Sequence, residues 1–136
     1  MNIAIVFAGG VGTRMGSDIP KQFLELDGKP VLVHTLEIFE RHPRVDGIVL
    51  VVAPGYFNDC HVLAAKYGVT KIRALAACGD SAQDSIYSGL RAAADLFPPE
   101  TTVLLHDGVR PYLEPEVIDA NIDAVEKFGS AVTYTP

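Results

Sequence analysis

Two cysteines, Cys60 and Cys78, form no motif with each other. With no export signal before them, they read as two free thiols rather than a disulfide framework. Positive charge is also scarce: 11 Lys and Arg against 17 Asp and Glu leave a net charge of −6. That balance argues against a broad nucleic-acid or membrane-binding face, which would be basic. It leaves room for a small phosphorylated ligand, which needs only a local cluster of cations. No apolar run is long enough to span a bilayer. Met1 leads straight into a short apolar run without a basic stretch, so no signal peptide is read and the expected location is the cytoplasm. Repeats, low-complexity tracts and linkers are absent as well. What is present is an ordinary globular composition, 49% apolar over 136 residues, sized for one domain with its own core.

Apolar runs alternate with amphipathic stretches. Residues 3–7, 48–52 and 102–105 are continuous and rich in β-branched side chains, as suits parallel strands covered on both faces. Leu32, Leu36 and Phe39 share one helical face, with Pro30 near the start of that helix. Ile86, Leu90, Ala93 and Phe97 make a second stripe, and Ile118, Ile122 and Val125 a third. A weaker helix is expected over 57–67, a strand near 71–75 and another strand over 130–134. The resulting order, β-α-β-α-β-α-β-α-β, predicts an α/β fold: a Rossmann-like open parallel sheet with helices on both faces. The chain stops at Thr135-Pro136, directly after an expected strand with no helix to cover it, so a sheet truncated at its C-terminus is expected.

The first strand runs into Ala8-Gly9-Gly10-Val11-Gly12-Thr13-Arg14-Met15-Gly16. Glycines let a backbone turn and approach a ligand closely, and successive N–H groups can then face an anion. In an open α/β sheet, ligands sit beyond the carboxyl ends of strands, where this loop lies. On the glycines alone, a turn that binds nothing is nearly as good an account. Arg14 inside the loop and Lys21 seven positions on, in Pro20-Lys21-Gln22, shift the balance toward phosphate. The loop lacks the Gly-Lys-[Ser/Thr] of a Walker A motif. It also fits a dinucleotide fingerprint poorly, because Met15 stands where the third glycine belongs.

Two further segments carry chemistry. The run 102–105 ends in His106-Asp107-Gly108-Val109-Arg110-Pro111. An acid at a strand's carboxyl end can hold Mg²⁺ beside nucleotide phosphates, while a plain Asp-Gly turn is the competing account. His106 reads as a packed or hydrogen-bonded residue rather than a catalyst. Gly79-Asp80-Ser81-Ala82-Gln83-Asp84-Ser85 precedes the second helical stripe. Asp80 with Gln83 fits a capping box; the backbone of Gly79 and Asp80 and the Ser85 hydroxyl could equally meet a nucleobase.

These segments, in this order, resemble the cytidylyltransferases that activate polyol phosphates, a group that includes the 2-C-methyl-D-erythritol 4-phosphate and ribitol-5-phosphate enzymes. The resemblance runs over the whole chain. The Gly-Thr-Arg-Met-Gly form of the loop and the stretch Ile118-Asp119-Ala120-Asn121-Ile122 look closer to the ribitol-phosphate branch. The resemblance implies that Arg14 and Lys21 grip the CTP phosphates and stabilise charge on the α-phosphate under attack. It implies that Asp107 helps hold Mg²⁺ or another divalent cation. Ala8, Gly9, Gly79, Asp80 and Ser85 would surround cytosine, with Gly10, Gly12 and Thr13 completing the nucleotide-binding loop and Arg110 supporting it. It further implies a nucleotide-diphospho-sugar transferase type of fold, CTP and a small polyol phosphate as partners, and a homodimer at full length.

Two departures qualify this. Many members of the group carry arginine where this chain has Ala82. Members are also considerably longer, and their second half supplies polyol-phosphate contacts, a further metal-binding acid, another lysine and much of the dimer contact. Residues 1–136 are therefore expected to be the N-terminal, nucleotide-binding part of such a domain, with little or no turnover on their own. The competing functions are a sugar-1-phosphate nucleotidyltransferase, against which the Pro20-Lys21-Gln22 and His106-to-Pro111 segments speak, and a non-catalytic nucleotide-binding module. A dinucleotide-dependent oxidoreductase is more distant.

Overall fold

The computed structural model describes residues 1–8 and 20–131. Strand β1 (Asn2–Ala8) is followed by a two-stranded hairpin, β2 (Glu25–Leu26) and β3 (Lys29–Pro30), and by helix α1 (Val31–Arg41). Then come β4 (Gly47–Val52), α2 (Phe57–Tyr67), β5 (Ile72–Ala77), α3 (Ala82–Leu96), β6 (Thr102–Asp107) and α4 (Pro115–Phe128). The main sheet has the order β5-β4-β1-β6 with every pair parallel. The expected open parallel sheet is therefore present. The strand expected over 130–134 lies mostly outside the described residues.

Successive side chains of a strand point to opposite faces, and the two central strands sort their residues accordingly. Ala4, Val6 and Ala8 of β1 join Ile48, Leu50 and Val52 of β4 under α1, α2 and α4, against Leu32, Leu36, Phe39, Cys60, Ile118 and Ile122. Ile3 and Ile5 join Val49 and Val51 under α3, with Ala76 and Ala93. Both faces carry helices, so both central strands read as unbroken apolar runs. Burial, with the Asp59 carboxylate adding to it, pushes the Cys60 thiol up to about 11, so it stays protonated and unreactive at neutral pH.

Three expectations need correction. First, the run 102–105 is not covered on both faces: β6 is an edge strand among the described residues, and Leu105 is 50% exposed. Helix α3 packs mainly on β1, β4 and β5; on that face of β6 Val103 reaches the core beneath it, while Leu105 does not. Second, α3 meets the sheet through Gly89 and Ala93, while Leu90 is exposed. A Cβ on Gly89 would lie 2.7 Å from Ile5 Cγ2 and 2.9 Å from Val51 Cγ2. Close approach of the helix, not side-chain size, selects the buried face there. Third, the alternation of runs gives no sign of the β2–β3 hairpin. Its two-residue turn, Asp27 (φ 53°) and Gly28 (φ 84°), has both central residues at positive φ, the Asp-Gly geometry that suits tight hairpins.

The end of α1 is tied to the start of β5 by charge. Glu40 accepts the Thr70 and Lys71 backbone N–H groups and the Thr70 hydroxyl, at 2.8, 2.8 and 2.6 Å. Partial burial raises its pKa, but these hydrogen bonds and the Lys71 charge outweigh that and hold it below the ordinary value. A depressed carboxylate adds stability above its unfolded pKa of about 4.3, and that stability is lost as pH falls through the lower folded value.

Two outcomes are expected. Gly89→Ala should gain at most about 1 kcal/mol of helix propensity and lose about 1–3 kcal/mol to overpacking, for a net loss in denaturant unfolding; Gly89→Val should lose more. Glu40→Gln should flatten the fall in thermal midpoint between pH 5 and pH 3 relative to the unsubstituted protein.

Candidate functional site

The order β5-β4-β1-β6 contains a reversal. The chain steps outward from β1 to β4 to β5, then returns to β6 on the other side of β1. Crevices form beyond the carboxyl ends of strands at such a switch point, here between β1 and β6. Phe7 and Asp107 are register partners at those two ends.

Lys21 is the first residue of a short 3-10 turn, Lys21–Phe23, that follows Pro20. The turn is set on three counts. Phe23 N–H donates to Pro20 O at 2.9 Å, and the Phe23 ring packs against Tyr56 with centroids 5.1 Å apart. Between them the Gln22 side chain is buried, and its Nε2 donates to Ala8 O at 2.7 Å. Lys21 itself is exposed. A buried amide beside an exposed ammonium thus joins the residues after the glycine-rich segment to the end of β1.

Asp107 is held on the next carbonyl back. Gly108 N–H donates to Phe7 O at 2.8 Å, and Gly108 O accepts from the fully buried Thr35 hydroxyl at 2.8 Å. A Cβ on Gly108 would lie 2.9 Å from Phe7 O and 3.0 Å from Leu32 Cδ1, so only glycine allows this approach. Asp107 Oδ1 accepts from Val109 N–H at 3.1 Å, and its Oδ2 is 3.9 Å from Arg110 Nε. Both side chains are open to solvent. His106 packs edge-on against Phe39, and its Nε2 lies 2.9 Å from Arg110 O, so it is the packed, hydrogen-bonded residue expected. Among the described residues no three His, Cys, Asp or Glu side chains cluster to hold an ion. Asp107 offers one hard oxygen donor; Mg²⁺ beside nucleotides commonly takes one or two carboxylates together with phosphate oxygens and water.

Gly79 and Asp80 follow β5 and lead into α3. The helix is capped by Ser81, whose hydroxyl accepts from Asp84 N–H at 3.1 Å, not by Asp80 as the Asp80–Gln83 spacing suggested. Asp80 is left exposed ahead of the cap. Ser85 Oγ accepts from Gly79 N–H at 3.0 Å, so these two predicted base-contacting residues are in contact with each other. Ala82 is the first residue of α3 and is exposed. Arg14, Gly9, Gly10, Gly12 and Thr13 lie outside the described residues.

The family model described as IspD: 2-C-methyl-D-erythritol 4-phosphate cytidylyltransferase matches residues 2–136. The chain belongs to this family. A ribitol-5-phosphate cytidylyltransferase of Streptococcus agalactiae is 46% identical over 134 residues, covering 98% of this chain and 56% of that protein. A 2-C-methyl-D-erythritol 4-phosphate cytidylyltransferase of Geotalea uraniireducens is 40% identical over 135 residues, covering 98% and 57%. Among solved structures, the 4-diphosphocytidyl-2C-methyl-D-erythritol synthase of Anaerococcus prevotii is similar with a TM-score of 0.74 and 30% identity, over 93% of this chain and 51% of that one. The chain thus spans little more than half the length of the IspD-family relatives it matches.

Two residues with no visible role in the sequence hold the candidate site: Gln22 ties the Lys21–Phe23 turn to the end of β1, and Thr35 ties the Gly108 turn to α1. Gln22 was visible only as a member of Pro20-Lys21-Gln22, and nothing in the pattern around Thr35 marks it. Thr35→Val keeps shape but leaves Gly108 O without its donor, which should lower stability by about 1–3 kcal/mol in denaturant unfolding. Thr35→Ser should retain most of the stability.

Proposed function

We propose that the protein containing this chain is a cytidylyltransferase that moves CMP from CTP to a polyol phosphate and releases pyrophosphate. Family membership supports the reaction class. The observation that carries the site assignment is the pair of anchors on adjacent β1 carbonyls, Gln22 on Ala8 and Gly108 on Phe7. They set the segments bearing Lys21 and Asp107 on the same strand end, at the switch point.

In this reading a phosphate oxygen of the polyol phosphate attacks the α-phosphorus of CTP in line, and pyrophosphate leaves on the opposite side. Lys21 presents an ammonium to the α-phosphate and stabilises the negative charge that builds there. Arg14 shares this work as a bidentate donor. Asp107 supplies the carboxylate for a divalent cation, which neutralises phosphate charge when bound. Arg110, 3.9 Å from Asp107, steadies that carboxylate. Cytosine is received near Gly79, Asp80 and Ser85, with Ala8 at the strand end. Chemistry of this kind depends on positioning and charge, with no covalent intermediate on the protein.

Ribitol 5-phosphate is the favoured acceptor. Relatives named for it share 37–46% identity, against 40–41% for relatives named for the methylerythritol substrate and 43% for a bifunctional IspD/IspF enzyme. The loop form points the same way. A pyrophosphate-release assay of the whole protein with CTP, Mg²⁺ and each acceptor in turn tests the reading. Turnover should be highest with ribitol 5-phosphate, and Lys21→Ala should lower kcat by about 10²-fold or more. Preference for UTP or dTTP with a sugar 1-phosphate would replace it with a sugar nucleotidyltransferase. Equal turnover by Lys21→Ala would remove Lys21 from the chemistry.

A further inference from the structure

We infer that Gln22 is a positioning residue for the transfer: its side chain sets where the Lys21 ammonium stands by pinning the Lys21–Phe23 turn to the end of β1. The inference rests on the assignment of Lys21 to the chemistry and adds to it a residue that touches no substrate.

Burial comes first. Gln22 is 1% exposed, one of only three buried polar side chains among the described residues, yet it lies next to an exposed lysine. A glutamine carries two donors and an acceptor that must be satisfied once water is removed. Here one donor is spent on a backbone carbonyl 14 residues earlier, at 2.7 Å. That bond joins two residues 14 apart in the sequence, Ala8 before the glycine-rich segment and Gln22 after it. Phe23 holds the far side of the same turn on Tyr56, and Val31 N–H reaches back to Leu24 O at 2.9 Å. The turn is therefore fixed by an apolar contact and by hydrogen bonds, and only the Gln22 contact ties it directly to β1 among those described. Lys21 is flexible along its stem, but its Cα is not free to move while Gln22 stays in place. A misplacement of about 1 Å can lower a rate about 10²-fold.

The chemistry of the contact also fixes which replacements work. Gln22→Met keeps nearly the same shape and loses the donor. Gln22→Glu keeps the shape and has a donor only while its carboxyl is protonated; ionised, it would face the Ala8 oxygen with like polarity. The kcat of Gln22→Glu relative to the unsubstituted protein should therefore rise as pH falls, because low pH restores the O–H.

The test is steady-state kinetics of the whole protein with CTP and its polyol phosphate, comparing Lys21→Ala, Gln22→Met and the double variant. Gln22→Met should lower kcat by about 10- to 100-fold with a smaller change in the KM for CTP. The double variant should be no slower than Lys21→Ala alone, because Gln22 acts through Lys21. If Lys21→Ala is slow while Gln22→Met keeps kcat within about twofold, the positioning role is wrong and the assignment of Lys21 stands. Losses that multiply in the double variant would also overturn it. If Lys21→Ala retains full turnover, both the assignment and the inference fall. Should Gln22→Met not fold at the assay temperature, the kcat ratio of Gln22→Glu between pH 6 and pH 8.5, with folding checked by circular dichroism at each pH, decides: a rise toward pH 6 supports the role and a flat ratio contradicts it.

Discussion

The last two carbonyls of β1 organise everything around the candidate site. Carbonyls near a strand end run short of ladder partners, and once buried they still need them. Phe7 O takes Gly108 N–H and Ala8 O takes the Gln22 amide. Satisfying the strand end and bringing the Lys21 and Asp107 segments to it are therefore the same event. The two partners arrive from opposite directions along the chain, one just after the glycine-rich segment and one about a hundred residues later. The strand that receives both is central to the sheet and buried on both faces, so it is among the most rigid platforms the fold offers. Rigid elements beneath mobile chemistry are what transfer reactions governed by positioning require.

The close approach on the β6 side has its own requirement. Gly108 sits against Phe7 O and Leu32, and Thr35 reaches it from α1. Helix α1 thus does two jobs: Leu32, Leu36 and Phe39 build the core under the sheet, while Thr35 on the same buried face fixes the turn that carries Asp107. A hydroxyl at a core position is tolerated because its hydrogen bond is made. The apolar core and the polar site are continuous through that one side chain.

Much of this was legible in the sequence, for physical reasons. Strands buried on both faces must be apolar throughout, so β1 and β4 announced themselves, and α2 fell on the residues its weak pattern indicated. The stripes of α1 and α4 were equally plain because large side chains form their contacts. Helix α3 was misread where a glycine forms the contact: periodicity counts apolar bulk, and Gly89 contributes none. The coverage of β6 depends on which neighbours stand beside it, which a run of apolar residues cannot report. At the site, charge and glycine marked Lys21, Asp107 and Gly108. Gln22 and Thr35 were silent because a single buried polar residue has no periodic signature; its meaning lies in a partner 14 or 73 residues away. The cap of α3 moved by one residue, from Asp80 to Ser81, since both are good capping residues and only geometry separates them.

The central claim is that one strand end holds both halves of a nucleotide site. It is tested most directly by a crystal structure of the whole protein with CTP and Mg²⁺. The account predicts the α-phosphate within hydrogen-bond reach of Lys21 Nζ, the cation on Asp107, and the Gln22–Ala8 and Gly108–Phe7 bonds intact. A triphosphate bound away from the carboxyl ends of β1 and β6, or bound there with either anchor broken, would contradict it.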